Sequence, residues 1–338
     1  MNETLSPAMD ALPEKPAMIS KRTSRSLAAG SVIALVGLPL LTQNAFYLHT
    51  GVMIIIHAIA VIGLLIIARV GQLSLCQGAF MSLGAYASAL MSMDLHLPVL
   101  IAMILAVMFT GIVAAALGTL ILRARGVYFT LITFAFGQVI NLVLLDFQSI
   151  TAGAVGITRI PSPALLGFTF DEPGRYYQLS FFLLLLCIVF ATRLLRSPIG
   201  RAFDSISVNL RLANASGING QRYQSQAFII GSMLAGLSGA LMGHYIKFIA
   251  PGTFEFSLSV TLIVMLVIGG RRTVVGAVLG AAFLTPLPEL LRGAPQVQNI
   301  IYGLILIVAL RVLPDGIASL PDRFKMSMRA TKSPRNDT

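Results

Sequence analysis

The chain has 338 residues, 56% of them hydrophobic and only 11% charged, with 24 Lys and Arg against 13 Asp and Glu. A soluble domain carries roughly 25% charged residues, so this composition excludes an ordinary soluble enzyme and describes a polytopic membrane protein. The net charge of +11 invites a nucleic-acid reading, but the placement of the basic residues removes it.

The first 26 residues are polar and hold no apolar core, so they read as a disordered cytoplasmic tail and not as a cleavable signal peptide. Apolar runs near the length needed to cross a bilayer then follow one another. Ten spans are expected, over 27–44, 51–68, 72–93, 97–122, 128–147, 178–194, 223–246, 256–270, 274–291 and 297–313. They are expected to be helices, because backbone groups in lipid must be satisfied within the segment, and the ~10-residue alternation of an outer-membrane barrel is missing. The expected fold is thus all-α, with a transmembrane domain over 27–313 and a cytoplasmic tail over 314–338. With the N-terminus inside, 20 of the 24 basic residues fall on inner segments and four (Arg159, Arg175, Lys247 and Arg292) on outer ones. That asymmetry is the positive-inside rule; it explains the charge, and no nucleic acid is required.

The third span, from Gly71 to Met91, carries Gln72, Ser74, Gln77 and Ser82 among its apolar residues. Polar groups at membrane depth either line a water-filled cavity or bond to neighbouring helices, and both readings stand. The fifth span adds Thr130, Thr133, Gln138 and Asn141. Gln72, Ser74, Gln77, Thr133, Gln138 and Asn141 are the candidate pathway residues, since uncharged polar groups suit a weakly held zwitterion. The connection from Asp146 to Tyr177 is the longest outer loop; its TAGAVGITRIPSP stretch has no periodicity and suits a receptor-facing or gating role. Gly239 with Gly243 and Gly276 with Gly280 make GxxxG pairs, expected to pack inside the bundle.

Between the sixth and seventh spans lies the polar segment Ser197–Arg222. Ser197 before Pro198 is a helix start. Ile199, Phe203 and Ile206 share one face, Asn209 can cap a second short helix, and Gly217 suits a left-handed helix end. Two short amphipathic helices at a membrane surface either dock a soluble partner or lie in the headgroups.

Some chemistry is missing. No span interior holds a Lys, Arg, Asp or Glu, which argues against a proton-driven carrier. No G-x-x-x-x-G-K-[ST] loop occurs, so ATP would have to be bound by another subunit. No nucleophile–base pair, paired carboxylate, HExxH or metal-type spacing is present, so no enzyme activity, metal or cofactor is expected. Cys76 and Cys187 both lie in apolar runs, with no disulfide expected. His57 and His244 each stand alone in a span and read as packed, neutral side chains.

Four motifs in order resemble those of LivM-type permeases, the membrane subunits of branched-chain amino acid ABC importers. These are Gly71-Gln-Leu-Ser-Leu75 with Gly84-Ala-Tyr86; Arg125-Gly-Val-Tyr-Phe129 with Phe136-Gly-Gln138; Ser197-Pro-Ile-Gly-Arg-Ala202 with Gly217-Ile-Asn219 and Tyr223; and Gly269-Gly270 with Gly276 and Val278-Leu-Gly-Ala281. The resemblance covers about residues 30–315. Val208-Asn209-Leu210 departs from the family's ENE-like run, Thr151-Ala-Gly153 with Val155-Gly156 from its TGG-DG, and Arg271-Arg272 from its small residue after the glycine pair. The resemblance implies a bacterial inner-membrane importer with a second permease, two ATP-binding subunits and a periplasmic solute-binding protein. It implies that 197–222 couples to the ATPase, through Arg201, Phe203, Asp204, Ile206, Ala213 and Gly217, with the Phe203–Ile206 face entering a groove on it. The same architecture importing urea, amides or aromatic catabolites, and a stand-alone secondary carrier, are the alternatives.

Overall fold

A computed structural model describes residues 45–290, apart from 122, 123, 125, 166 and 167, together with 301, 303, 304 and 307. The expected spans at 27–44 and 297–313 and the two tails lie outside the described residues, those four positions excepted. Helix α1 (Ala45–Ala68) is apolar on every side, and 16 of its 24 residues are buried. A helix apolar all round belongs in the middle of a bundle. Its central partner is a 27-residue helix further along, α9 (Gly220–Ile246). The two backbones cross at glycines: a Cβ on Gly63 would lie 2.5 Å from the Gly231 carbonyl oxygen, and one on Gly231 would lie 2.6 Å from that of Gly63.

Around this crossing the chain is laid in two arms of inverted order. After α1, residues 71–76 run without helix, followed by α2 (Gln77–Met93) and α3 (Val99–Ile121), both packed on α9. After α9, residues 247–255 return towards the membrane interior through a single turn of 3-10 helix (Pro251–Phe254). They lead into α10 (Phe256–Gly269) and α11 (Val274–Leu284), both packed on α1. Between the arms come α4 (Val127–Asp146), a short α5 (Gln148–Thr151), α6 (Pro173–Arg196), and the pair α7 (Pro198–Val208) and α8 (Leu210–Ala215); α12 (Pro286–Leu290) follows α11. Six described stretches are long and apolar enough to cross a membrane: α1, Val99–Thr119 of α3, α4, α6, α9, and Pro251–Gly269 ending in α10.

Three expected spans change. The third begins as a helix only at Gln77, because Gly71 turns the chain at a φ of +80° and the backbone of the next residues bonds to the side chains of Thr130 and Thr133. The span at 256–270 is a 14-residue helix, α10, preceded by the 3-10 turn. The span at 274–291 divides at Pro286, whose missing N–H ends the helix ladder.

The outer connection is stapled down. Strand β1 (Ile157–Thr158) pairs antiparallel with β4 (Phe248–Ile249), Ile157 opposite Ile249. A second pair joins β2 (Ala164–Leu165) to β3 (Phe168–Thr169). These two-residue strands are the exception to the all-α expectation. Lys247 Nζ donates to the Asp171 carboxylate at 2.6 Å; that bond, the Ser162 hydroxyl and the lysine's charge hold the Asp171 carboxyl below the usual carboxylate range. Buried His244 joins loop to bundle. Its Nδ1 must carry the proton, since it meets the Pro161 carbonyl oxygen at 2.7 Å, and its Nε2 accepts from the Ser88 hydroxyl at 2.7 Å. His57 Nδ1 pairs with Thr285 Oγ1 at 3.1 Å. Both histidines are packed side chains, as their isolation in the sequence suggested.

The GxxxG glycines face inward. A Cβ on Gly239 would strike the Met81 backbone, one on Gly276 the backbone of Gly269, and one on Gly280 that of Met265. Gly239→Ile therefore drives two backbones apart and should lower the thermal midpoint of the detergent-purified protein by several degrees, overpacking costing about 1–3 kcal/mol. Gly174→Ala, in open space at the start of α6, should leave the midpoint within error. Equal midpoints for both variants would contradict the close packing of α9 on α2 at Gly239.

Candidate functional site

Gln77 opens α2 half way along its neighbours. Its Nε2 donates to the carbonyls of Ala60 on α1 and Gly231 on α9, both at 3.2 Å. Gly231 is the twelfth of the 27 residues of α9, about 17 Å from its start at 1.5 Å per residue. Helix α10 begins at the same level, for the Gly78 N–H in the first turn of α2 donates to Ser259 Oγ in the first turn of α10 at 2.9 Å. Two helices thus start at mid-depth and run towards opposite ends.

The extended residues Gly71–Cys76 climb to this level along α4. Thr130 Oγ1 donates to the Leu73 carbonyl at 3.1 Å, and the Leu75 N–H donates to Thr133 Oγ1 at 3.1 Å. Beside Leu75 lies a narrow cleft with about 10 Å³ of free space, room for about one water molecule. Leu75, Ala79 and Phe134 give it an apolar wall, and Gln138, Asn141 and Ser259 line it with polar groups. Phe134 meets Phe256 edge to face at 4.8 Å across its rim. No charged side chain lines it, which suits passage more than tight retention.

The six candidate pathway residues therefore separate. Gln138 and Asn141 line the cleft. Gln77 and Thr133 are buried and bond to backbone. Ser74 is buried, its Oγ 3.1 Å from Cys76 Sγ. Gln72 is 5% exposed, and neither end of its amide has a hydrogen-bond partner.

Arginines gather at one end of the bundle: Arg69 after α1, Arg193 and Arg196 closing α6, Arg201, Arg211 and Arg222 in and after α7, and Arg271 and Arg272 between α10 and α11. There α7 starts as its sequence dictates, the Ser197 hydroxyl accepting the Ile199 N–H at 3.2 Å. Asn209 Oδ1 caps α8 by accepting from Arg211 and Leu212. Gly217, at a φ of +82°, closes α8, with the Ile218 N–H returning to the Ala213 carbonyl at 3.0 Å. The expectation that Phe203 and Ile206 form the outward face is corrected. Phe203 is 0% exposed and meets Tyr223 edge to face, and Ile206 is buried beside it. Amphipathic α7 lays its apolar side on its own bundle, where burial gains most. Ala213 is also buried, whereas Arg201 is exposed. Outward, Val208 is 86% and Leu212 64% exposed. On α7, Arg201, Ser205 and Val208 stand at spacings of four and three, opposite Phe203; Leu212 lies beyond the extended residue Asn209, on α8.

Asp204 turns back towards the bundle. Its Oδ2 accepts from Arg69 Nη2 at 2.9 Å, and Arg69 Nη1 donates to the Arg272 carbonyl at 3.4 Å. Partial burial raises the Asp204 carboxyl above its ordinary value, and the charges of Arg69 and Arg272 oppose that rise. Arg69, Ser259, Val208 and Leu212 were not picked out from the sequence. Arg69 looked like one more topological charge, and Val208 and Leu212 belong to two different helices, so no single helical spacing marked them. Among the described residues no group of three His, Cys, Asp or Glu could hold a metal, and both cysteines are free and buried.

Apolar crossing helices, a mid-depth cleft with neutral polar groups and an amphipathic helix pair at the basic end make the frame of a multi-pass membrane permease. The chain belongs to the family described as branched-chain amino acid transport system / permease component, which matches residues 46–310. It is 28% identical over 293 residues to the high-affinity branched-chain amino acid transport system permease protein LivM of Salmonella typhimurium, an alignment covering 78% of this chain and 68% of that one. It is 29% identical over 215 residues to the autoinducer 2 import system permease protein LsrC of Salmonella paratyphi B, covering 60% of each. To the permease protein LivH of Escherichia coli it is 30% identical over 129 residues, 37% of this chain and 41% of that one. No solved structure matches the chain.

If the cleft is the wetted surface, cysteines at Gln138 and Asn141 should react with a small water-soluble thiol reagent in at least one transport state. Cysteines at Gln77 and Thr133, buried against backbone, should stay inert. Labelling at all four positions, or at none, would contradict this division.

Proposed function

We propose that this chain is one of two permease subunits of an ATP-driven importer in the bacterial inner membrane, carrying branched-chain amino acids. The basic end is placed in the cytoplasm, supported by the 20-to-4 distribution of Lys and Arg, and both termini are placed on that side. The transmembrane permease domain spans 27–313, between cytoplasmic tails 1–26 and 314–338. A second permease, two ATP-binding subunits and a periplasmic solute-binding protein complete the system. The observation that carries the reading is the α7–α8 pair, which seats its aromatic face on the bundle and turns Val208 and Leu212 outward at the basic end. Exposed apolar side chains flanked by Arg201 and Arg211 on the cytoplasmic side suit a groove on a soluble partner. The chain has no phosphate-binding loop, so that partner supplies ATP. Arg201, Val208 and Leu212 form the docking stripe; Phe203, Ile206, Ala213 and Gly217 hold its shape, and Asp204 ties it to the bundle. Gln138 and Asn141 line the pathway. Likeness to a permease named for autoinducer 2 supports a second reading, the same architecture with another cargo.

Liposomes holding the two permeases and the ATP-binding subunits, supplied with the solute-binding protein, should accumulate labelled leucine only with ATP. Accumulation by this chain alone down an ion gradient would refute the proposal in favour of a secondary carrier. In the same system Val208→Ser with Leu212→Ser should abolish co-purification of the ATP-binding subunits while leaving the chain's melting temperature unchanged. Phe203→Ala should do the reverse of a docking variant: it costs stability, about 3–5 kcal/mol for a buried aromatic, and lowers the melting temperature. Normal co-purification in the Val208/Leu212 double variant would exclude the stripe.

A further inference from the structure

The segment Gly71–Cys76 is a connection at membrane depth with no helix or strand of its own. Its bonds outward reach two separate structures. At the basic end Arg69, two residues before it, holds the Asp204 carboxylate of α7 at 2.9 Å and the Arg272 carbonyl at 3.4 Å. A Cβ on Gly71 would lie 3.4 Å from the Ser207 backbone, so α7 also rests directly on the segment. At mid-depth Leu73 and Leu75 are bonded to Thr130 and Thr133 of α4, and Leu75 lines the cleft. The segment therefore spans from the docking helix to the cleft wall without passing through the crossing of α1 and α9. That crossing is backbone against backbone at Gly63 and Gly231 and has little room to deform. The segment, by contrast, can shift by exchanging side-chain hydrogen bonds, with no helix ladder to break.

Gln72 supplies an independent sign. Its amide is buried, and neither Nε2 nor Oε1 has a partner. A buried primary amide left unpaired at both ends is unfavourable, and persists where a second arrangement pairs it.

We propose that Gly71–Cys76 is a strap that transmits movement of α7 to the cleft. Motion of α7 draws on Arg69 through Asp204, and the strap slides along Thr130 and Thr133. Leu75 then moves into or out of the cleft, and Gln72 gains its hydrogen bonds at the far end of the stroke. Arg69 and Asp204 are thus positioning residues for transport, remote from the cargo. This inference rests on the proposed function, in that α7 must be moved by a motor.

Two measurements test it. In the reconstituted importer Asp204→Asn and Arg69→Gln should each keep ATP hydrolysis and lower leucine uptake per ATP about three- to tenfold, in the lower part of the range that coupling between residues in one network gives. The exchanged pair Asp204→Arg with Arg69→Asp restores the ion pair but not the bond to the Arg272 carbonyl, and should recover part of that ratio. Hydrogen exchange on the purified chain reads the strap without transport: in Asp204→Asn the Leu75 amide should exchange faster, while the amides around Gly231 stay as slow as before. An unchanged uptake-to-hydrolysis ratio in both single variants would overturn the strap. So would unchanged exchange at Leu75. Wild-type uptake that needs no ATP would instead refute the proposed function, and the exchange result would still decide whether α7 and the strap are connected.

Discussion

Two helices of this protein begin inside the membrane, and their first N–H groups have no water to turn to. The rest of the structure follows from how that is met. Gln77 reaches away from the start of α2 to tie the carbonyls of Ala60 and Gly231 together. Ser259 accepts the Gly78 N–H, so the start of α10 satisfies the start of α2. Neither helix has a side-chain N-cap of its own. The start of α2 leans on α10, and its Gln77 side chain bridges α1 and α9 where they cross. Removing that crossing would strand polar backbone in hydrocarbon, where each unpaired group costs several kcal/mol by order of magnitude.

The same demand explains why so many polar residues of the spans are not pathway residues. Thr130 and Thr133 serve the backbone of residues 73–75; Ser238 serves the Ile56 carbonyl, and Tyr176 that of Leu241. A threonine or serine in a membrane helix is first a hydrogen-bond partner for a neighbour. Gln138 and Asn141 differ because α4 stands at the margin of the described bundle, with only Phe129, Thr133 and Leu144 of its own residues buried. Their carboxamides face space instead of backbone.

The membrane class, the helical pair at 197–222 and the inward-facing glycines were all legible in the sequence, because composition, cap residues and spacing act locally. The break at the third span was legible in part. Gln72, Ser74 and Gln77 marked an interruption, but where helix resumes depends on Thr130 and Thr133 more than fifty residues away. The docking face was misread. Ile199, Phe203 and Ile206 do form an apolar stripe, but periodicity cannot say whether such a stripe faces its own bundle or a partner. Tertiary contact with Tyr223 decides it. Asp204 was singled out within the 197–222 helices, while its ion-pair partner Arg69 was not, since a single arginine after an apolar run serves topology equally well.

The cleft also bears on what must surround this chain. Leu75, Gln138 and Asn141 reach it from one side, and the α4 face carrying Leu131, Val139 and Leu142 is exposed. A pathway for a zwitterion cannot have lipid as its opposite wall, because the charged ends of the cargo would meet hydrocarbon. One docking helix pair likewise offers a hold for one ATP-binding subunit, whereas closing ATP between two such subunits calls for two holds. In the proposed importer, a second permease across a two-fold or pseudo-two-fold axis meets both shortages. Partial likeness of this chain to LivM and to LivH, two permeases named for one transport system, makes a pair of related but different chains the more economical assembly.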